Sequence, residues 1–319
     1  PYTVGEHTFS STPSIGVMVF MEDHESTEDV IKKADIAMYQ AKSAGRNTIR
    51  FFDPKMQARA TAHLALESDL RKGILNNEFL LYYQIQVKDG IKHIDRPIIV
   101  GVEALVRWNH PERGMVSPAQ FIPLAETTGL ILPLGQWVLE TACEQLVVWA
   151  DSPKTARWTI AINVSALQFA QTDFVVHVET ALQKTGANPL LLKLELTESM
   201  LVANIDEIIV KMNAIKAYGV NFSLDDFGTG YSSLSYLKRL PLTQLKIDQS
   251  FVRDVLTDPS DAVIAHTIIA LGRNLGLKVI AEGVETEAQR DALAEMGCNA
   301  YQGYLFGRPV PACDVKEII

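Results

Sequence analysis

The chain has 319 residues, of which 47% are hydrophobic, and a formal net charge of −9 at pH 7. This length allows one large domain with a fragment or two ordinary domains, and the charge argues against a sequence-independent DNA partner. The sequence has no membrane segment and no signal peptide, and its three cysteines lack CxxC spacing. We therefore expect a cytoplasmic chain with reduced thiols. Because it begins at Pro1 without a methionine, a parent protein could be membrane-anchored through a region outside this chain.

Residues 1–53 show a strand–helix–strand pattern. We predict a strand at 9–20, a helix capped by Ser26 or Thr27 and ended by Gly45, and a short strand at 48–52. About fifty residues are too few to bury a good core alone. We therefore expect this segment to be a fragment of a larger domain.

A linker helix is predicted within residues 54–77, and residues 78–319 then alternate between strands and helices. Eight strands are predicted at 79–86, 99–108, 158–164, 191–196, 221–225, 244–248, 278–281 and 300–304. Helices are predicted between them, for example at 133–150, 174–185, 205–218 and 262–275. This count fits a (β/α)8 barrel. A short polar loop with Asp89-Gly90 predicts an antiparallel hairpin for the first two strands.

Polar side chains lie at or just past the ends of short apolar runs in these strands: Glu103, Asn163, Glu195, the pair Asp225-Asp226, Lys246 and Glu282. Alternation along a strand places such residues on one face and apolar residues on the other. Half-exposed antiparallel strands with a solvated polar face are the alternative, but helix-length segments between the strands favour the barrel. In a barrel these side chains would meet at one mouth and form a divalent-metal site.

The oxygen ligands favour Mg²⁺ or Mn²⁺ over zinc. Asp225 has two carboxylate oxygens and can bridge two ions. Asp226 would point away on a continuing strand, so we expect the turn at Phe227-Gly228 to swing it back. Lys246 suits a phosphate oxygen or the nucleophile, although it could also be an ion-pair partner of Asp225 or Asp248.

Two sets of motifs carry a family resemblance. The first comprises EALVRW at 103–108, INVSALQF at 162–169, LELTES at 194–199, DDFGTGYSSL at 225–234, LKID at 245–248, AEGVET at 281–286 and QGYLFGRP at 302–309. These segments resemble the EAL domain family, the cyclic di-GMP phosphodiesterases, from about residue 67 to the end. The second set, SIGV at 14–17 and ADIAMYQAKSAGRN at 34–47, resembles the C-terminal third of a GGDEF domain, whose signature motif is absent from this chain.

The EAL resemblance implies specific roles. A first metal ion would be bound by Glu103, Asn163, Glu195 and Asp225, and a second by Asp225 and Asp226, with Glu282 near it. Lys246 would position the attacking water and Glu282 would be the general base. Substrate contacts are implied for Gln84, Leu105, Arg107 and Gln302, with Glu285 supporting substrate or bound water. Glu198 would hold the loop 225–232, which the resemblance links to a homodimer interface through the barrel.

We therefore expect an enzyme that uses two Mg²⁺ or Mn²⁺ ions to open cyclic di-GMP to linear pGpG, with Ca²⁺ as an inhibitor. One alternative is a cyclic di-GMP receptor with little turnover. In this family receptors usually lose metal carboxylates or the loop motif, and this chain keeps them. A weaker alternative is another metal-dependent barrel enzyme, acting on a sugar or enolate.

Overall fold

The computed structural model describes residues 2–4, 7–9, 11–20, 26–88, 97–202, 204–230 and 234–317. The chain divides into two compact units, Pro1–Lys72 and Gly73–Ile319. Within the described residues, the helices are too short or too polar to cross a membrane.

Up to residue 53, the described part of the first unit contains two small sheets and a helix. Its elements are β1 (Tyr2–Val4), β2 (His7–Phe9), β3 (Ile15–Val17), α1 (Thr27–Ser43) and β4 (Ile49–Phe51). Strands β1 and β2 pair antiparallel, whereas β3 and β4 pair in parallel. Ser26 caps α1 by accepting a hydrogen bond from the backbone N–H of Asp29. The helix packs so closely on β3 that a Cβ at Gly16 would lie 2.1 Å from the Ala34 carbonyl oxygen.

Helix α2 covers Pro54–Leu75, and ten strands follow it. They are β5 (Phe79–Lys88), β6 (Ile98–His110), β7 (Gly114–Val116), β8 (Thr159–Asn163), β9 (Leu192–Thr197), β10 (Asn221–Phe227), β11 (Gln244–Ile247), β12 (Lys278–Ala281), β13 (Ala300–Gln302) and β14 (Val310–Pro311). The helices are α3 (Pro118–Thr128), α4 (Ile131–Ala150), α5 (Ala166–Ala170), α6 (Phe174–Thr185), α7 (Ile205–Ala217), α8 (Leu234–Leu237), α9 (Gln249–Arg253), α10 (Pro259–Leu275) and α11 (Glu287–Glu295). Short 3-10 helices cover Pro189–Leu191, Glu198–Val202 and Asp314–Glu317.

Eight of these strands close into a barrel in the order β5, β13, β12, β11, β10, β9, β8 and β6, with β6 pairing back to β5. Strand β5 runs antiparallel to both of its neighbours, and the other barrel pairs are parallel. Strands β7 and β14 extend β6 and β5 outside the ring. The predicted barrel with an antiparallel first pair is therefore confirmed. Asp89-Gly90 lies outside the described residues.

The core lies between the barrel and its helices. Val102, Ile160 and Leu194 are fully buried on the outer faces of their strands, in one cluster with Leu139 and Leu146 of α4. Because side chains alternate along a strand, burial of these apolar residues outside directs the polar residues between them into the barrel. The carboxyl ends of the parallel strands then meet at one mouth.

Most predicted elements are present with boundaries shifted by one to a few residues. The prediction of one strand at 9–20 is wrong, because residues 11–14 separate β2 from β3. The sequence analysis also did not identify α3, β7 or β14. The last two are only three and two residues long, too short to show an alternating pattern.

Candidate active site

The side-chain ammonium of Lys246 lies at the centre of the barrel mouth. It lies 2.5 Å from Glu282 Oε1, 2.6 Å from Glu195 Oε2, 3.1 Å from Asp225 Oδ1 and 3.6 Å from Glu103 Oε2. Burial alone would lower the pKa of Lys246, but these four carboxylates raise it well above its usual value. Lys246 therefore carries a fixed positive charge. Its pairing with Asp225 is as predicted, whereas Asp248 is not among its ion-pair partners.

Two side-chain amides hold Glu103 in place at the barrel mouth. Asn163 Nδ2 donates to Glu103 Oε1 at 2.6 Å, and Gln302 Nε2 donates to Glu103 Oε2 at 2.6 Å. Burial alone would raise the pKa of Glu103, but Lys246 and these two amides lower it. The side chain is thus a fixed anion, which suits a metal ligand.

Glu195 has one oxygen bonded and one free. Its Oε2 accepts from Lys246, but its buried Oε1 has no hydrogen-bond partner among the described residues. Burial first, and the nearby Glu103 and Asp225 charges second, raise the pKa of Glu195 to about 8. A buried carboxylate oxygen without a donor is costly unless a cation or proton satisfies it. Glu195 Oε1 therefore fits a metal ion.

Asp226 turns back toward the mouth through its own backbone. Its φ is 52°, in the left-handed region, and the pairing of β10 with β11 is irregular between Leu224 and Phe227. The predicted turn at Phe227-Gly228 is present, because Thr229 N donates to the Asp226 carbonyl oxygen at 3.3 Å and Gly228 has a φ of 103°. The bend already begins at Asp226 itself. Ligand oxygens of Asp225, Asp226 and Glu282 lie within 4.8 Å of one another and could hold a metal ion.

Asp248 lies beside this cluster and was not among the predicted site residues. Its carboxylate accepts a hydrogen bond from the backbone N–H of Ser250 at 2.9 Å. Burial, followed by the charges of Asp225 and Asp248, raises the pKa of Asp226 to about 6. The signal was available, because Asp248 shares a strand face with Lys246.

Glu282 follows β12 on a segment that is tightly confined. Val284 N donates to the Gln302 carbonyl oxygen, and Leu305 N donates to the Val284 carbonyl oxygen, both at 3.1 Å. A Cβ at Gly303 would lie 2.1 Å from the Val284 carbonyl oxygen, so this approach requires glycine. Burial raises the pKa of Glu282 well above its usual value. The segment therefore holds a basic carboxylate against Lys246.

Glu198 binds the glycine loop after β10, as predicted. Its Oε2 accepts from the backbone N–H groups of Gly228 and Gly230 at 3.0 and 3.2 Å. The loop 225–232 is described as far as residue 230, so its last predicted residues lie outside the described part.

A chain of side-chain amides runs from Glu103 to the side of the mouth where substrate contacts are predicted. Gln302 Nε2 donates to Gln84 Oε1, Gln86 Nε2 donates to Gln302 Oε1, and Gln84 Nε2 donates to the Gly307 carbonyl oxygen, at 3.0 to 3.1 Å. Gln86 was not predicted, although it lies two residues after Gln84 on the same strand.

Leu105 and Arg107 lie at the mouth, whereas Glu285 is exposed. Leu105, Arg107 and Asn163 line a cavity of about 320 Å³, together with Glu126 and Gln168. Among the described residues, no hydrogen bond or ion pair joins Glu285 to Asp225, Asp226 or Glu282. Its backbone N–H is bonded to Gln289 Oε1 at 2.9 Å.

Aromatic and guanidinium groups flank this side of the mouth. The Arg107 guanidinium lies 5.6 Å from the centre of the Tyr82 ring, and that of Arg308 lies 4.5 Å from the Tyr304 ring. Such pairs offer flat surfaces and positive charge. Tyr304 and Arg308 lie within the recognised QGYLFGRP motif, but no role was predicted for them.

Two family models match the chain. That of the EAL domain matches residues 67–309, and that of the diguanylate cyclase, GGDEF domain, matches residues 1–48. The chain is also similar to a solved structure of the PaMucR phosphodiesterase in complex with c-di-GMP, with 48% identity and a TM-score of 0.74, over 79% of this chain and 99% of that one.

Two curated relatives come from Pseudomonas aeruginosa. The bifunctional diguanylate cyclase/cyclic di-GMP phosphodiesterase MucR is 46% identical over 312 residues, which cover 98% of this chain and 45% of the relative. The cyclic di-GMP phosphodiesterase NbdA is 40% identical over 321 residues, which cover 100% of this chain and 40% of the relative. The chain thus spans less than half the length of these relatives.

Proposed function

The chain belongs to the EAL domain family, and from the chemistry of its barrel mouth we propose that it is a metal-dependent phosphodiesterase that hydrolyses cyclic di-GMP to linear pGpG. The observation that carries this proposal is the convergence of four carboxylates on the single ammonium of Lys246. A phosphodiester is itself anionic, so such a mouth needs cations before it can accept one.

We propose that two Mg²⁺ or Mn²⁺ ions supply that charge. Glu103, Asn163, Glu195 and Asp225 would hold the first ion, and Asp225 and Asp226 the second, with Glu282 near it. The unpartnered Glu195 Oε1 and the close approach of Asp225, Asp226 and Glu282 support this assignment. Two such ions polarise the phosphate and help to ionise water.

The chain's own residues then have separate roles. Lys246 would either hold the attacking water in line with the phosphorus or bind a phosphate oxygen. Glu282 accepts the proton of that water, because its raised pKa makes it a better base near neutral pH than an ordinary carboxylate. The water oxygen would form a bond to phosphorus, and the bond from phosphorus to the 3′ oxygen would break. The 3′ oxygen would take up a proton from solvent, which balances the one that the water gave to Glu282. The product is a linear dinucleotide with a 5′ phosphate.

Substrate recognition fits the other side of the mouth. A guanine base has flat faces that stack on aromatic rings and guanidinium groups. Arg107 beside Tyr82 and Arg308 beside Tyr304 offer such surfaces, and the cavity next to Leu105 and Asn163 has room for a base. Gln84 and Gln302 add amide donors and acceptors. For Glu285 we retain the predicted role of supporting substrate or bound water, from an exposed position.

The direct test is to incubate the protein with cyclic di-GMP and Mg²⁺ and to separate the nucleotides by chromatography. We expect conversion to pGpG that stops when EDTA is added. Binding of cyclic di-GMP without product would instead identify a receptor. Neither binding nor turnover would leave another metal-dependent barrel reaction.

We also expect Ca²⁺ to inhibit. Ca²⁺ prefers longer bonds and more ligands than Mg²⁺, whereas the proposed ligands form a compact set. Rates should be measured with Mg²⁺, with Ca²⁺, and with both ions together. Equal turnover with Ca²⁺ and Mg²⁺ would contradict the two-ion arrangement proposed above.

We propose further that the protein is a cytoplasmic homodimer that associates through the barrel near the loop 225–232. The bonds from Glu198 to Gly228 and Gly230 support a role for this loop in coupling the dimer to the metal site. Light scattering of the purified protein tests the dimer, and a monomer at micromolar concentration would contradict it.

A further inference from the structure

Lys193 and Gln244 form a buried polar pair inside the barrel, next to the proposed metal site. Their side chains are 8% and 5% exposed, and Lys193 Nζ donates a hydrogen bond to Gln244 Oε1. Lys193 precedes Glu195 by two residues on β9, and Gln244 precedes Lys246 by two residues on β11. Because side chains alternate along a strand, all four face the barrel interior.

The bond between them crosses a strand. β10 lies between β9 and β11, and its Ser223 pairs with both Glu195 and Gln244. Ser223 is fully buried, and its Oγ has no hydrogen-bond partner among the described residues. This small side chain leaves room for Lys193 to reach Gln244 over β10. The pair therefore ties β9 directly to β11, in addition to the backbone ladder.

The next contact toward the mouth joins the same two strands. Glu195 Oε2 and Lys246 Nζ lie 2.6 Å apart. A change in the spacing of β9 and β11 would move both partners, and with them Glu195 Oε1, which has no partner of its own to hold it. The buried ammonium of Lys193 is costly, since an apolar pair would fill the same space without its desolvation. The position of the Lys193–Gln244 hydrogen bond, next to Glu195 and Lys246, offers a reason why this buried ammonium is kept.

We propose that Lys193 and Gln244 are positioning residues, which set the spacing of β9 and β11 and so hold Glu195 and Lys246 where the metal site needs them. This inference rests on the proposed metal-dependent function. It concerns metal affinity first and turnover second, because neither side chain is placed against the substrate.

Gln244→Leu is the central variant, because it removes the hydrogen bond but leaves every charge in place. We expect the dissociation constant of Mn²⁺, measured by calorimetry without substrate, to rise about tenfold, the lower end of the range for residues that orient metal ligands. The kcat should fall by a similar factor, whereas the KM for cyclic di-GMP should stay within about twofold. Gln244→Glu keeps an acceptor for Lys193 and should remain within about threefold of the wild type.

Two further variants distinguish positioning from simple stabilisation. Gln244→Asn shortens the side chain but keeps it polar, so it tests the tie if the leucine variant does not fold. Thr155→Val removes a buried hydrogen bond to the Trp149 carbonyl oxygen, 2.8 Å long, away from the barrel interior. We expect Thr155→Val to lower the melting temperature without changing Mn²⁺ affinity.

The proposal fails if Gln244→Leu and Gln244→Asn bind Mn²⁺ as the wild type does, whatever their stability. A wild-type protein that binds Mn²⁺ but hydrolyses no cyclic di-GMP would contradict the proposed activity instead. The metal affinities would still decide the role of the pair in that case.

Discussion

The two sides of the barrel mouth are built differently. On the side of β6, β8 and β9, Glu103 and Glu195 lie on regular strands and are 6% and 1% exposed. Two amides hold Glu103 in place. On the side of β10, Asp226 is partly buried with a φ of 52° and precedes a glycine loop tied to Glu198. One side is fixed by the sheet and the other by a bent backbone. Under the proposed assignment, the first side would assemble the site and the second would supply its chemistry.

The largest effect is expected on the fixed side. Glu103→Ala should abolish hydrolysis, with a loss of at least about a thousandfold, because it removes a proposed anionic ligand. It also leaves Asn163 Nδ2 without its acceptor and removes one of the two acceptors of Gln302 Nε2. Product formation should be measured at saturating Mg²⁺. Glu140→Ala is the matched control, since Glu140 pairs with Lys184 on outer helices at 2.5 Å. Near-wild-type turnover of the Glu103 variant would show that the side of the mouth formed by β6, β8 and β9 does not bind an ion.

A smaller and more selective effect is expected on the bent side. Asp226→Asn should lower turnover at least about a hundredfold, because the second ion loses a charged ligand and water activation weakens. Affinity for cyclic di-GMP, measured by calorimetry with Ca²⁺ to suppress turnover, should change less than about tenfold, because Gln84, Arg107 and Gln302 are untouched.

Asp291→Asn serves as the control for this variant, since Asp291 pairs with Arg290 on the surface of α11. If the Asp226 variant loses affinity along with rate, Asp226 organises the whole pocket. The division between an assembling side and a chemical side would then be wrong.

The same contrast explains what the sequence could predict. On regular strands, alternation alone gave the inward direction of Glu103, Glu195 and Lys246, and the barrel followed from the spacing of those strands. Alternation fails where the backbone leaves the strand. It placed Asp226 outward, and although the sequence predicted a turn at Phe227-Gly228, it did not show that the bend begins with a left-handed φ at the aspartate.

Partnerships across the barrel were also beyond the sequence. Gln86, Lys193 and Asp248 each share a predicted inward face with a site residue, so their direction was visible. Their partners lie far along the chain, for example Gln302 for Gln86 and Gln244 for Lys193. In the first unit, short strands of three residues carry too little alternation to be separated. The single predicted strand at 9–20 failed for that reason.

A last and smaller effect concerns pH and spans both sides of the mouth. The pKa of Glu195 is raised from its ordinary 4.5 to about 8 and that of Asp226 from its ordinary 3.8 to about 6, in both cases mainly by burial. Between the unfolded and folded pKa values, the native state binds more protons than the unfolded chain, so its stability falls as pH rises. In EDTA these two groups should therefore make the melting temperature fall from about pH 4 upward, more steeply below about pH 6 than above it, and level off near pH 8.

A bound cation should reverse this dependence, because it favours the deprotonated ligands and competes with protons. With saturating Mg²⁺ the melting temperature should stay level or rise from pH 5 to pH 8. In EDTA, Glu195→Gln should remove the fall between about pH 6 and pH 8 and leave the fall below about pH 6 that belongs to Asp226. Parallel melting curves with and without Mg²⁺ would mean that these carboxylates do not exchange protons for metal. The two sides of the mouth would then have to be distinguished by their backbone alone.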